Sequence, residues 1–183
     1  MNEDIGGYSP KSLVFDDKGR AKLVKGIETI SKAVKSTLGP GGATVLIESQ
    51  KHVGGITVTK DGVTVAKDVD LLDPVENMAV KIMRQAADRT AASAGDGTTT
   101  SIVLAEALAV KGMELITEGV NKTEVLRDLV EETKLVVKSL AKNSKKVTKG
   151  KLKDVATISA NNEPVIGNII AKVYKAVGKN GLV

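Results

Sequence analysis

Apolar residues recur at every third or fourth position along most of this chain, and glycine cuts the pattern into segments. Leu23, Ile27, Ile30, Val34 and Leu38 mark one stretch from about Asp17 to Leu38, ended by Gly39-Pro40-Gly41-Gly42. That period is the mark of an α-helix with one buried face, and a Gly-Pro-Gly-Gly run cannot continue it. A second stretch opens at Asp73-Pro74-Val75-Glu76, where Asp73 suits an N-cap, Pro74 the first helical position and Glu76 a capping box. Its expected face is Val75, Met78, Ala79, Ile82, Met83, Ala86, Ala87 and Thr90, held to about Ala94. A third helix is expected from Ser101 towards Glu118, ended by Gly119. A fourth follows Asn121, with Leu126, Leu129, Val130, Thr133, Val137 and Leu140 on its buried side.

Between the first two helices the period changes. Ala43–Glu48 and Gly55–Val58 are short and β-branched with a Gly-Gly turn between them, which predicts a pair of strands. From Gly62 to Leu72 the pattern is ambiguous. Past Ala141, six lysines fall between Lys142 and Lys153 with hardly a large apolar residue, as in a linker or boundary. A helical pattern resumes through Leu152, Val155 and Ala156. A last helix is expected from Pro164 to Val177 (Ile166, Ile169, Ile170, Val173, Val177), stopped by Gly178. Residues 1–12, broken by Gly6-Gly7 and Pro10, read as a loose arm. The fold class is therefore mainly α, a helical bundle with a small β-hairpin. Its core rests on Val, Ile, Leu, Ala and four Met, since Tyr8, Phe15 and Tyr174 are the only aromatic residues.

Composition removes several function classes. Without cysteine there is no disulfide scaffold, thiolate metal site or Cys nucleophile. His52 is the only histidine, so a His-rich metal site is excluded and a Ser-His-Asp triad is barely feasible. No apolar run approaches the roughly 18 residues of a membrane span. The start, Met1-Asn2-Glu3-Asp4, is acidic where a targeting peptide would be basic, so a cytoplasmic, membrane-free protein is expected. Lys and Arg outnumber Asp and Glu by 27 to 22, for a net charge of +5. With stacking aromatics nearly absent, the expectation is a mildly basic, solvated surface and no nucleic acid.

Three glycine loops sit at element ends: Thr37-Leu38-Gly39-Pro40-Gly41-Gly42, Thr59-Lys60-Asp61-Gly62 and Gly95-Asp96-Gly97-Thr98-Thr99-Thr100. Taken singly, each is explained as a helix stop, a turn or a cap. The third says more. Glycines on both sides of Asp96 let backbone approach a ligand closely, and the threonines open a helix whose free N–H groups favour phosphate. Asp96 offers a hard carboxylate oxygen of the kind that holds Mg²⁺ against phosphates. The loop is neither a Walker A nor a Rossmann fingerprint. Lys60 and Asp61 form a hairpin tip by themselves; beside a triphosphate they would add a point charge and a second carboxylate for metal or water.

These three motifs, in this order and spacing, resemble the group I chaperonins, the GroEL family. Ala156-Thr157-Ile158-Ser159-Ala160-Asn161 and the closing Val177–Val183 are also similar to that family, so the likeness runs from about Phe15 to the last residue. Lys60 before Asp61 is the group I choice. The resemblance implies that Thr37, Leu38, Gly39 and Pro40 border the nucleotide and Lys60 contacts its phosphates. Gly97, Thr98, Thr99 and Thr100 would bind phosphate oxygens, Asp96 would ligate Mg²⁺, and Asp61 would assist hydrolysis of ATP. Gly41-Gly42 stands where the family usually has Lys-Gly, Asn121-Lys122 where it often has Asn-Pro, and the Lys142–Lys153 stretch is unusually basic for it.

The resemblance divides the chain into an arm (1–12), the N-terminal part of an ATP-binding equatorial domain (13–141) and the N-terminal part of a helical hinge, the intermediate domain (142–183). The intact family member is a homo-oligomeric ATPase and foldase, a heptameric ring stacked as two rings. Its co-chaperonin and unfolded polypeptides bind through an apical domain that nothing here matches, and this segment alone is expected to be inactive. The competing reading is a non-catalytic helical interaction module with a basic segment for an acidic partner or nucleic acid.

Overall fold

The structure, a computed structural model, describes residues 12–39, 41–48, 55–116, 119–148, 150–178 and 181. The expected arm before Ser12, Pro40, His52, the first glycine of the hairpin turn, the helix end at Glu118 and most of the closing Lys179–Val183 lie outside the described residues. The chain divides into two compact units, 1–112 and 113–183. The first holds α1 (Asp16–Lys35), β1 (Val45–Glu48), β2 (Ile56–Thr59), α2 (Gly62–Asp68), α3 (Pro74–Ala94) and nearly all of α4 (Thr98–Leu115). The second holds α5 (Lys122–Asn143), α6 (Leu152–Ser159) and α7 (Pro164–Val177). The mainly helical class with one small antiparallel sheet is as expected.

In the first unit α1 lies along α3, and α2 packs on both and on β1. Ile30 and Val34 of α1, Val65 and Ala66 of α2, Val80, Met83 and Ala87 of α3 and Ile102 of α4 form one buried cluster. Small residues set the approach of the two long helices: a Cβ on Gly26 would strike the Glu76 carbonyl oxygen. Two ion pairs bridge the same seam, Lys22 with Asp73 and Lys25 with Glu76 at 2.7 Å. Asp73 caps α3 as expected, its Oδ1 accepting from the N–H groups of Val75 and Glu76. The Glu76 carboxylate, expected to close a capping box, is used across the seam on Lys25 instead.

The structure corrects the expected burial and ends of several elements. On α3 the buried line is Ala79, Val80, Met83 and Ala87, whereas Met78 and Ile82 are exposed, because α1 meets the helix on the Ala79 side. The first helix stops at Lys35, short of Leu38. There the Ser36 and Thr37 hydroxyls donate to the carbonyls of Ala33 and Val34, competing with continued helical bonding. α4 opens at Thr98 rather than Ser101, since the Gly97 carbonyl already accepts from the Ser101 N–H at 2.9 Å. The ambiguous stretch after Asp61 is α2.

The expected strands pair, Val45 opposite Thr59 and Leu46 opposite Val58. Alternation turns Val45 and Ile47 towards the core and leaves Leu46, Ile56 and Val58 exposed.

In the second unit α6 and α7 pack closely where a Cβ on Gly167 would strike Thr157, and Ala156 and Ala171 are buried there. α7 has its expected ends: Pro164 in the first turn, and Gly178 at φ +75° donating to the Tyr174 carbonyl. Its contact line falls on Gly167 and Ala171, with Ile170 and Val173 half-buried and Ile166, Ile169 and Val177 exposed. The larger correction is α5. Asn121 caps it as expected, accepting from Thr123 and Glu124 N–H, but the helix has no buried residue. Leu126, Leu129, Val130, Thr133, Val137 and Leu140 are all exposed: the apolar face exists, and its covering surface is not among the described residues.

Candidate functional site

The three glycine loops converge on one glycine. A Cβ on Gly62 would overlap Thr99 Oγ1 and would stand 3.3 Å from Thr37 Oγ1. The first turn of α2 therefore touches the first turn of α4 and the end of α1, at a point where no side chain fits. Each partner is there for a local reason. Thr37 is buried and fixed by its hydroxyl, which donates to the Val34 carbonyl at 2.8 Å. Gly62 follows the N-cap Asp61, and Thr99 lies one residue into α4. Gly42 closes the loop behind Thr37, since a Cβ there would strike the Thr37 carbonyl oxygen.

Asp61 is held by three hydrogen bonds. Oδ1 accepts from Val63 N–H at 3.3 Å, and Oδ2 accepts from Thr64 N–H at 3.1 Å and Thr64 Oγ1 at 2.7 Å. Its own N–H donates to Thr59 Oγ1 at 3.0 Å. The carboxylate is exposed yet oriented, and a carboxylate's roughly four acceptor positions leave about one for a ligand or water. Thr64 was not legible as a participant beforehand. The Asp-x-x-Thr spacing of a helix start was the available signal.

Gly95 closes α3 at φ +74° and Gly97 enters α4 at φ +87°, so both need the left-handed region that glycine favours. Between them Asp96 is exposed, one oxygen accepting from Gly97 N–H at 2.6 Å and the other without a partner among the described residues. Thr98 is buried, Thr99 half-buried and Thr100 exposed, so Thr99 and Thr100 carry the accessible hydroxyls. Gly39, at φ +74°, and Gly95 both face open space. Leu38 is half-exposed and Lys60 exposed, while Pro40 lies outside the described residues.

These residues fit a magnesium-bound phosphate chain. Donors and acceptors are hard oxygens and amide N–H groups at the open end of an 18-residue helix. Gly62 keeps side-chain atoms out of the junction between Thr37 and Thr99. No cluster of three or more acidic, histidine or cysteine side chains exists among the described residues. A cation here would have Asp96 as its main protein ligand and take the rest from phosphate and water, the habit of Mg²⁺.

Comparison with known proteins gives this geometry its class. The model of the TCP-1/cpn60 chaperonin family matches residues 30–181, and the chain belongs to that family. Chaperonin gp146 of bacteriophage EL 2 (Pseudomonas aeruginosa), crystallised in the presence of ATP-BeFx, superposes with TM-score 0.78 at 26% identity over 91% of this chain. A second crystal form of gp146, also with ATP-BeFx, gives 0.76 at 24%. A group III chaperonin in the open state gives 0.70 at 26% over 86% of this chain. The chain spans 29% of the length of gp146 and 32% of the group III protein. Among the described residues no helix is long and apolar enough to cross a membrane.

Proposed function

We propose that this chain supplies the phosphate- and Mg²⁺-binding half of the ATP site of a chaperonin subunit, and that the intact protein couples ATP hydrolysis to folding of enclosed polypeptides. The observation that carries the reading is the meeting of Thr37, Gly62 and Thr99, which joins three loops of unrelated local explanation into one cradle. Thr37, Leu38, Gly39 and Pro40 border the nucleotide, and Lys60 contributes its charge to the phosphates. Gly97, at positive φ, turns the chain into α4, and the backbone N–H groups that follow it, with the hydroxyls of Thr99 and Thr100, bind phosphate oxygens. Thr98 contributes through its place in the first turn of α4. Asp96 ligates Mg²⁺, and Asp61, oriented by Thr64, assists the hydrolytic water.

The bound metal would neutralise charge building on the phosphates during hydrolysis. The chain's residues do the rest: they fix the phosphates, admit backbone where side chains would block, and aim one carboxylate. Lys60 favours group I, and with it a cytoplasmic foldase with isomerase-type activity. Such a protein is a heptameric ring, stacked as two, with a co-chaperonin and unfolded polypeptide bound through an apical domain. The interaction-module reading keeps one favourable observation, the exposed lysines after Asn143.

Calorimetric titration with ATP, with and without Mg²⁺, tests the proposal on this chain. Binding is expected to be weak, to require Mg²⁺, and to fall further in Asp96→Ala. In the complete protein Asp96→Ala abolishes Mg²⁺-dependent turnover, and Lys60→Ala weakens nucleotide binding by about 1–2 kcal/mol, a charge-assisted hydrogen bond. Metal-independent binding that Asp96→Ala leaves untouched would overturn the assignment.

A further inference from the structure

Two of the three cradle loops adjoin helices that an ion pair ties together. Lys35 closes α1 two residues before Thr37, and its Nζ pairs with Glu106 Oε2 on α4, the helix that carries Thr98, Thr99 and Thr100. The Glu106 side chain is 15% exposed and that of Lys35 42%, so the carboxylate has largely left water while the ammonium keeps part of its shell. Glu106 Oε2 is itself buried and has no hydrogen bond beyond this pairing among the described residues. Such a pair is a poor source of stability. Desolvation of the ions offsets much of their attraction, and apolar residues of similar volume often do as well or better.

Its place in the fold gives it a different use. Ile102 already joins α4 to Ile30 and Val34 in the core cluster, but apolar contact is non-directional and does not by itself fix how the helix is turned. Thr99, Ile102 and Glu106 stand three and four positions apart, within about a 60° arc of α4 and over roughly 10 Å of its length. At one end of that line Thr99 meets Gly62, in the middle Ile102 meets the core, and at the other end Glu106 meets Lys35. The loop that starts there is tied back at its root, where the Ser36 carbonyl accepts from Ala43 N–H at 2.7 Å. The ion pair therefore fixes the rotation of α4 against the loop that holds Thr37.

We propose that Lys35 and Glu106 are positioning residues for the nucleotide: their pairing holds the first turn of α4 and the Thr37 loop in the mutual placement that phosphate binding uses. The inference rests on the nucleotide-site reading and adds to it two residues that act through their neighbours. Charge gives the test its sign. A Lys35 that acted on the phosphates directly would be freed by loss of the Glu106 charge, and MgATP would bind more tightly. A positioning pair predicts the opposite, weaker binding from the same change.

The experiment is calorimetric titration of the full chain with MgATP, set beside a thermal melt of each variant. Glu106→Gln keeps the shape of the side chain and should weaken binding about tenfold, the size of a lost outer contact at a liganding group. Lys35→Met/Glu106→Met leaves net charge unchanged and replaces the pair by apolar side chains. Its melt should lie at or above that of wild type, while its MgATP affinity stays as low as that of Glu106→Gln. A purely structural pair would instead make affinity follow the melt. Where Glu106→Gln unfolds the chain, the methionine pair supplies the reading. Unchanged or tighter binding in folded Glu106→Gln, or wild-type affinity in the methionine pair, would overturn the proposal. Asp96→Ala separates this from failure of the nucleotide-site reading. Mg²⁺-dependent binding that falls in Asp96→Ala but not in Glu106→Gln removes the ion pair alone, whereas a wild type without Mg²⁺-dependent binding removes both.

Discussion

Individual side chains at the α1–α3 seam carry a pH dependence whose sign can be worked out. Lys22 beside Asp73, with the N–H groups of Glu76 and Val75, holds the Asp73 carboxyl below its ordinary 3.8. Its stabilisation is fully present above that value and is lost as pH falls through the depressed one. Lys25, raised above 10.5 chiefly by its hydrogen bond to Glu76, contributes below 10.5 and loses its contribution as pH climbs past the raised value. Asp73→Ala, which also removes an N-cap, should lower stability at neutral pH. It should also flatten the loss of stability below about pH 4, as read by urea denaturation across pH. An unchanged acid limb in that variant would remove Asp73 from the account. Glycines at the same scale divide by what surrounds them. Gly26→Ala must push a Cβ into the Glu76 carbonyl and should destabilise by roughly 1–3 kcal/mol. Gly112, helical with open space beside it, should gain about 0.5–1 kcal/mol as Ala. A thermal melt of both variants checks the contrast.

Elements were legible wherever the chain punctuates itself. Asp73-Pro74, Asn121 and Pro164 mark helix starts, and Gly95 and Gly178 mark ends, because capping chemistry is local and needs no partner. α2 was not legible: Val63, Val65 and Val69 are β-branched and spaced every two residues or more, which suits strand and helix alike. The bond from the Val65 N–H to the Asp61 carbonyl, with the cap bonds from Val63 and Thr64 to the Asp61 side chain, settles it as helix. Which side of an amphipathic helix is buried was equally out of reach when two apolar lines run side by side. On α3, Val80 faces the core and Ile82 does not, a choice made by where α1 sits. For the site, the loops were visible one by one and their resemblance to the chaperonins gave them roles. Their meeting at Gly62 is a contact between residues 25 and 37 positions apart, which no local pattern encodes. Burial also ranks the elements dynamically. Amide hydrogen exchange should be slowest at 30–34 and 79–87, which share the core cluster. It should be fastest among long helices in α5, whose 22 residues include none buried. Protection of α5 equal to that of α1 would mean its face is covered in solution.

For the molecule as a whole, that open face decides behaviour. Leu126, Leu129, Val130, Val137 and Leu140 line one side of α5, each at least 37% exposed. Withdrawing roughly 300 Å² of such surface from water is worth about 7 kcal/mol, comparable to the net stability of a whole domain. A patch of that size drives association. In solution the chain should therefore associate with rising concentration through α5, while the first unit, with its own buried cluster, keeps its structure. Leu129→Lys/Val137→Lys places two charges on the stripe without touching that cluster. It should return the chain to a monomer in sedimentation velocity and leave the cooperative melt of the first unit where it was. Neither form is expected to hydrolyse ATP above background: under the proposed function Asp96 would hold the metal, and Asp61 would assist the hydrolytic water without a further activating carboxylate among the described residues. A monomeric wild type would overturn the account of the open face, and turnover in either form would overturn the expected inactivity.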